Sequence, residues 1–569
     1  MSVAGPSGKS WTAGLAAVLA SPRTRLAAIA ALHLAALIML YRTEYGWLAV
    51  MLALLTWGLL NFFLLTALRR PALSAALSLA LVLVLILASQ FKFGILDMTA
   101  SFLDILIIDP DTLTFWLSIY PNLYTALPVG AAAAIPLIVL LWWVDPFRVR
   151  RRRAAAGFAL CLTGIVGLSL SIPERPWEPF GGVNHVSNFT RSAVAAVSEL
   201  GVHGWIESAR AAGHLQAVID EPCPPAAKLP HIIMVLDESS FDITAAPGIK
   251  VPEGYHDHFR SYDGKSRGLV MESTGGPTWY AEYNVLTGLS VRSYGRLMFN
   301  VTRIAADRVE RGLPLALKRC GYRTFSNYPA HGAFLSARRF QTTAGIDTFI
   351  DLKDMGIPND LQPDKFYYDF VGKLIEREHS AGPLFAFVYV TANHFPWTWQ
   401  FRPELTPGWT GLGNSSEVDE YIRRQTLSAG DYSNFLARLK VDFPNDSFLV
   451  VRFGDHQPAI SSKILEPGLD AKDRATRIMN YDARYFTTYY AIDTVNFTPA
   501  DVSSAFNSLD AAFLPLAIQE AAGVPLDASF VEQKQILQRC QGRFYSCADG
   551  AEARRFNRLL IDAGLIKGL

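Results

Sequence analysis

Residues 47–68 read WLAVMLALLTWGLLNFFLLTAL, 22 residues without one charge. At 1.5 Å per helical residue this stretch spans a hydrocarbon core of roughly 30 Å. Four more apolar stretches surround it: Leu26–Tyr41, Ala72–Phe91, Leu123–Val144 and Ala154–Ile172. The first of these has only 16 residues, the others 19–22. A cleaved signal peptide accounts for one such stretch, never for five. The first third of the chain is therefore expected to be a membrane domain of five helices.

Positive charge orients it. With the N-terminus inside, the inner segments carry Lys9, Arg23, Arg25, Arg69, Arg70, Arg148 and Arg150 to Arg153, and the outer loops carry only Arg42 and Lys92. Five crossings then leave everything after Ile172 outside. Overall charge adds nothing, since 52 Lys and Arg balance 51 Asp and Glu, and no nucleic-acid partner is implied. Four cysteines (Cys223, Cys320, Cys540, Cys547) fall in the outer part, which permits disulfides. Cys540 and Cys547 enclose a short polar loop and are the preferred pair.

The chain divides into residues 1–175 (transmembrane), 176–228 (a linker, Pro-rich at both ends, with an amphipathic helix) and 229–569. In the longer outer loop, FLDILIIDPDTLTFWL either lies along the interface or packs on the helix ends. From residue 230 the pattern changes. HIIMVLD, GLVMES, YRTFSNY, LFAFVYVT, SFLVVRF and FTTYYAI are short apolar runs separated by helical stretches. Such runs are strands of a sheet covered on both faces, an α/β domain.

Ligands of α/β sheets gather at the carboxyl ends of strands. Asp237 and Glu238 follow the first run, His394 follows LFAFVYVT, and Asp455 and His456 follow SFLVVRF. Each alone reads as a helix cap. Together they are the mixed oxygen and nitrogen donors that suit Zn2+ or Mn2+, and Gly454 permits a turn that brings Asp455 and His456 to one ion. Thr278 follows a Gly-Gly-Pro turn and reads either as the N-cap of a helix, with Glu282 near a capping-box position, or as a nucleophile that a metal activates.

LDES, GPTWYAE, NHFP and GDH occur in that order behind five spans. This set resembles the alkaline phosphatase/sulfatase superfamily, in its branch of lipoteichoic acid synthases and periplasmic phosphoglycerol transferases. The resemblance implies an α-helical five-span membrane domain followed by an α/β alkaline phosphatase/sulfatase-like sandwich domain. It implies one Mn2+ or Zn2+ on Glu238, Asp455 and His456, with Thr278 as fourth ligand and nucleophile, and His394 at the phosphoryl group as a proton carrier. His331 and Arg339, with Arg338 as the alternative, fit the stretch that binds the substrate phosphate. The family's tryptophan is missing there, and Asp237 has no counterpart beyond support or capping.

The resemblance further implies a bacterial cytoplasmic (inner) membrane protein with a periplasmic catalytic domain. Its donor would be phosphatidylglycerol and its acceptor a glycan. Phosphoethanolamine transfer from phosphatidylethanolamine, and phosphodiester hydrolysis, are the alternatives. No cysteine sits in a Cys-x-Pro-x-Arg stretch, which argues against sulfate-ester hydrolysis. GPSGKS at 5–10 lacks Walker A spacing. The HDH at 256–258 is expected to be a solvated loop, and EREH at 376–379 a polar helix face.

Overall fold

A computed structural model describes residues 21–567 apart from 174, 176–177, 217–221, 226–227 and 358–360. GPSGKS and Lys9 lie outside the described residues. The chain forms two compact units. One takes the described residues up to Asp109 together with Trp116–Val202; the other takes Pro110–Phe115 and the described residues from His203 onward.

In the first unit, five helices are long and apolar enough to cross a membrane. They are α1 (Pro22–Thr43), α2 (Trp47–Leu68), α3 (Pro71–Leu96), α4 (Leu123–Val144) and α5 (Arg151–Ser171). The first is longer than its apolar run because Pro22 opens it and the arginines that follow are good helix formers. Glycines let α2 and α5 meet closely: a Cβ on Gly157 would come within 2.7 Å of the Phe62 ring. The amphipathic helix expected in the linker is α6 (His185–His203), and it packs into this unit. Thr190 shares a 2.7 Å hydrogen bond with Thr56, and Glu44 accepts the Val186 N–H at 2.8 Å. FLDILIIDPDTLTFWL forms two short helices, Leu103–Leu106 and Pro110–Ile119.

The second unit is built on one eight-stranded sheet. Its strands are β1 (His231–Asp237), β2 (Arg267–Val270), β3 (Arg323–Asn327), β4 (Thr348–Ile350), β5 (Leu384–Val390), β6 (Phe448–Gly454), β7 (Thr487–Val495) and β8 (Ser508–Asp510). Their order is β4-β3-β5-β1-β6-β7-β2-β8, with β7 antiparallel to both its neighbours and all other pairs parallel. Helices α8 (Asp364–Glu378) and α9 (Ser416–Asp442) cover one face, where Ile233, Val235, Val388 and Val450 pack on Tyr368, Leu374 and Phe435. The alternate residues Ile232, Met234, Leu236 and Phe387 are equally buried on the other face. That double burial is why β1, β5 and β6 read as unbroken apolar runs. Helix α7 (Thr278–Thr287) lies on this second face, tied to β5 through Gln341 and Tyr389.

Two disulfides are formed, Cys540–Cys547 and Cys223–Cys320, with Cα–Cα distances of 5.7 and 5.4 Å. EREH holds two structural ties: Glu378 pairs with Arg323 and Arg377, and His379 pairs with Asp446.

Candidate functional site

β1 is the centre of the site because β5 and β6 flank it in register. Asp237 pairs with Val390 on one side and with Gly454 on the other. One step beyond these pairs, Glu238 and Asp455 leave adjacent strand ends side by side. Gly454 matters for space: a Cβ there would run into the carbonyl oxygen of Ser240. The sequence reading assigned this glycine to a turn, but no left-handed φ is found at Gly454; close approach of two strand ends is what requires it.

Glu238, Asp455 and His456 are buried and offer ligand atoms within 4.8 Å of one another. Asp455 Oδ1 accepts the N–H groups of Ser239 (2.7 Å) and His456 (2.9 Å), which leaves Oδ2 without a hydrogen bond. His456 Nδ1 lies 3.0 Å from the Gln457 carbonyl, which can only accept, so the proton is on Nδ1. Its Nε2 is likewise buried without a hydrogen bond, 3.3 Å from Asp455 Oδ2 and 3.5 Å from Glu238 Oε1. Two orphaned donor atoms and a second carboxylate, all converging, fit a divalent cation of the Zn2+ or Mn2+ class. Burial and the neighbouring Glu238 push the Asp455 carboxyl up to about 7. Burial opposes charge on His456, but Asp455 and Glu238 outweigh it and hold the imidazole pKa above its ordinary value. These are groups that give up protons when a cation binds.

Thr278 is the first residue of α7, but its side chain makes no cap. Pro277 occupies the N-cap position, so the capping expectation fails, and the Thr278 hydroxyl faces two acceptors, Glu238 Oε2 at 3.3 Å and the Gly276 carbonyl at 3.4 Å. Glu282 does not form a capping box either. It is buried one turn below, where Gln341 Nε2 donates to it at 3.2 Å, and burial pushes its carboxyl up to about 7.

Of the other expected residues, His394 and His331 follow strand ends, while Arg338 and Arg339 lie on the helix Ala337–Thr343. His394 lies four residues beyond β5, with Nδ1 2.7 Å from the Phe395 carbonyl. His331 lies beyond β3, with its pKa lowered by burial and by Lys353. Arg339 pairs with Asp307 (3.2 Å) and Asp111 (3.6 Å), whereas Arg338 is tied to Asp351 (2.9 Å) and to the Phe349 carbonyl (2.8 Å). Glu238, Thr278, Asp455 and His456 thus come together, and no hydrogen bond or ion pair joins His394 or His331 to them among the described residues.

The HDH stretch departs from expectation. His256 is exposed, but His258 is buried, because it serves Asp237. Arg452 donates to His258 Nδ1 at 2.6 Å, so Nε2 carries the proton and donates to Asp237 Oδ2 at 2.9 Å. The Tyr489 hydroxyl donates to the same oxygen at 2.5 Å. Burial alone would raise the Asp237 pKa; His258 and Arg452 bring it below the ordinary value. This buried chain supports the residue immediately before Glu238. Sequence reading missed Arg452 because it sits inside an apolar strand.

Residues 266–488 match the family model described as Sulfatase. No curated protein matches the chain in sequence. Among solved structures, the chain is similar to the lipoteichoic acid synthase LtaP from Listeria monocytogenes, at 17% identity over 53% of this chain and 74% of that one (TM-score 0.39). It is similar to the Streptococcus pyogenes phosphoglycerol transferase GacH in complex with sn-glycerol-1-phosphate, at 16% identity over 60% and 87% (TM-score 0.45). It is also similar to the lipooligosaccharide phosphoethanolamine transferase A (EptA) from Neisseria meningitidis, at 13% identity over 70% and 76% (TM-score 0.32). At such identities these likenesses say nothing of substrate. The chain thus carries, within its second unit, a stretch that matches the Sulfatase family model, preceded among the described residues by five helices long and apolar enough to cross a membrane.

Proposed function

We propose that this chain is a membrane-bound, metal-dependent phospho-group transferase that moves phosphoglycerol from phosphatidylglycerol to a periplasmic or cell-surface glycan. The observation that carries the reading is the Thr278 hydroxyl, left uncapped and 3.3 Å from Glu238 Oε2, beside the orphaned donor atoms of Asp455 and His456. A divalent ion on Glu238, Asp455, His456 and Thr278 would favour the ionised hydroxyl and offset the charge of the phosphoryl oxygens.

Thr278 Oγ1 forms a bond to the donor phosphorus as the bond from phosphorus to the diacylglycerol oxygen breaks. His394 supplies the leaving oxygen with a proton from Nε2, because Nδ1 is engaged with the Phe395 carbonyl. The acceptor hydroxyl then gives its proton back to Nε2 as its oxygen displaces Thr278. His331 and Arg339 hold the head-group phosphate, with Arg339 exchanging its aspartate partners for it. A membrane anchor suits a lipid donor, and the excess of Lys and Arg on the proposed inner segments supports a cytoplasmic N-terminus and a periplasmic second unit.

The test uses the purified full chain with Mn2+ or Zn2+ and lipid carrying a labelled acyl chain. Diacylglycerol released from phosphatidylglycerol supports the reading. Release only from phosphatidylethanolamine makes the chain a phosphoethanolamine transferase, and release from neither overturns both.

A further inference from the structure

The loop after β5 carries His394 between β5 and an exposed aromatic rim, with Phe395 49% and Trp399 47% exposed. Within that stretch the imidazole stacks on the Phe395 ring, with centroids 4.5 Å apart, so its orientation follows that of the loop backbone. That backbone is fixed from beneath, by three residues of α9. Glu420, Arg423 and Arg424 stand at i, i+3 and i+4 and so share one face of the helix. Arg424 is fully buried, at 0% exposure. Its NH1 donates to the carbonyl of His394 (2.7 Å), its NH2 to those of Pro396 (2.9 Å) and Trp399 (3.0 Å), and its Nε to Glu420 (2.6 Å). Arg423 donates to the Phe401 carbonyl and to Glu420, and Glu420 accepts the Phe401 N–H at 2.9 Å.

This arrangement buries two guanidinium groups against one carboxylate. Peptide carbonyls must supply the rest of their solvation, and they come from this loop alone, apart from the Thr406 hydroxyl. The two carbonyls that Arg424 holds on either side of Phe395 fix the direction of the carbonyl between them. That middle carbonyl is the acceptor of His394 Nδ1–H. It sets the tautomer and leaves Nε2 as the nitrogen that can carry a proton to and from substrate.

We propose that Arg424 is a positioning residue for His394: through the carbonyls of His394 and Pro396 it holds the Phe395 carbonyl, and thereby the imidazole, in the orientation proton transfer needs. The proposal rests on the phospho-transfer reading above. A lysine offers three donors from a single point and cannot span three carbonyls and a carboxylate as the planar guanidinium does.

Leaving-group chemistry separates positioning from general support. A diacylglycerol oxygen needs a proton to depart, whereas p-nitrophenolate does not. The full-length wild type, Arg424→Met, Arg424→Lys and His394→Asn are compared on phosphatidylglycerol and on the p-nitrophenyl ester of glycerol phosphate. Arg424→Met is expected to lower kcat on the lipid by roughly 10- to 100-fold, the range of a misdirected general acid. KM should stay within about twofold, and the single-turnover burst of p-nitrophenolate, which precedes the step in which His394 takes a proton from the acceptor, within about threefold. In the His394→Asn background, Arg424→Met should add almost nothing. If Arg424→Met fails to fold, Arg424→Lys is expected to show the same contrast between the donors at smaller size. Equal losses on both donors, or additive losses with His394→Asn, overturn the proposal. A wild type that releases no diacylglycerol overturns the functional reading and this inference with it.

Discussion

A threonine hydroxyl at a helix start ordinarily accepts a free backbone N–H, whereas that of Thr278 donates, with Glu238 Oε2 at 3.3 Å and the Gly276 carbonyl at 3.4 Å. This difference has a measurable consequence. Loss of a working N-cap costs about 1 kcal/mol of stability. Thr278→Ala is expected to leave the thermal midpoint within about 1–2 °C of wild type while reducing diacylglycerol release by roughly 10³-fold or more. A variant that is clearly destabilised but still active would restore the capping role. Asp455→Asn is the complementary case. It removes one of two buried carboxylates that repel each other, and with it an orphaned oxygen. Without metal the variant should melt no lower than wild type, and the rise in midpoint that Mn2+ or Zn2+ gives the wild type should be lost.

At the scale of elements, the site depends on strand ends meeting in register and on helices that reach them from far along the chain. Gly454→Ala should destabilise by about 3 kcal/mol or more and abolish metal binding, because the obstacle is the Ser240 backbone rather than a movable side chain. Asp364, the first residue of α8, accepts the Ala392 N–H at 2.8 Å and so anchors the loop that bears His394. Burial, then the nearby Asp237, pushes its carboxyl from 3.8 up to about 7. The folded state therefore holds this proton where the unfolded chain has lost it. Its contribution is full below pH 4 and disappears as pH rises through 7. Asp364→Asn carries no such dependence, so its midpoint relative to wild type should be higher at pH 8 than at pH 5; the opposite order would contradict the assignment. Six of the eight strands were legible because β1, β2, β3, β5, β6 and β7 are apolar runs. β4 and β8 were not: each has three residues at a sheet edge and carries no pattern. Nor was the reversed direction of β7, since a strand reads alike either way. Metal-competent residues stood out because they directly follow apolar runs. Arg424, Arg452 and Asp364 did not, because what each of them holds lies in a different segment and only folding brings the two together.

At the scale of the molecule, five apolar spans were legible from length alone, and the asymmetry of Lys and Arg gives a direction that can be tested. A membrane-impermeant thiol reagent on intact spheroplasts should label Ser462→Cys and leave Arg152→Cys untouched; the reverse would invert the proposed topology. Both disulfides suit an oxidising compartment. Cys540–Cys547 was the pair preferred from sequence because its members are seven positions apart around a short polar loop, whereas Cys223 and Cys320 are 97 apart and leave no local trace. The reading ties a lipid-soluble anchor to a covalent chemistry at one hydroxyl, and that hydroxyl can be examined directly. The full chain is incubated with metal and phosphatidylglycerol but no acceptor, quenched in acid, digested and analysed by mass spectrometry. The account predicts glycerophosphate on the peptide that contains Thr278, formed in step with diacylglycerol. Diacylglycerol released while Thr278 stays unmodified, at a rate unchanged in Thr278→Ala, would contradict it.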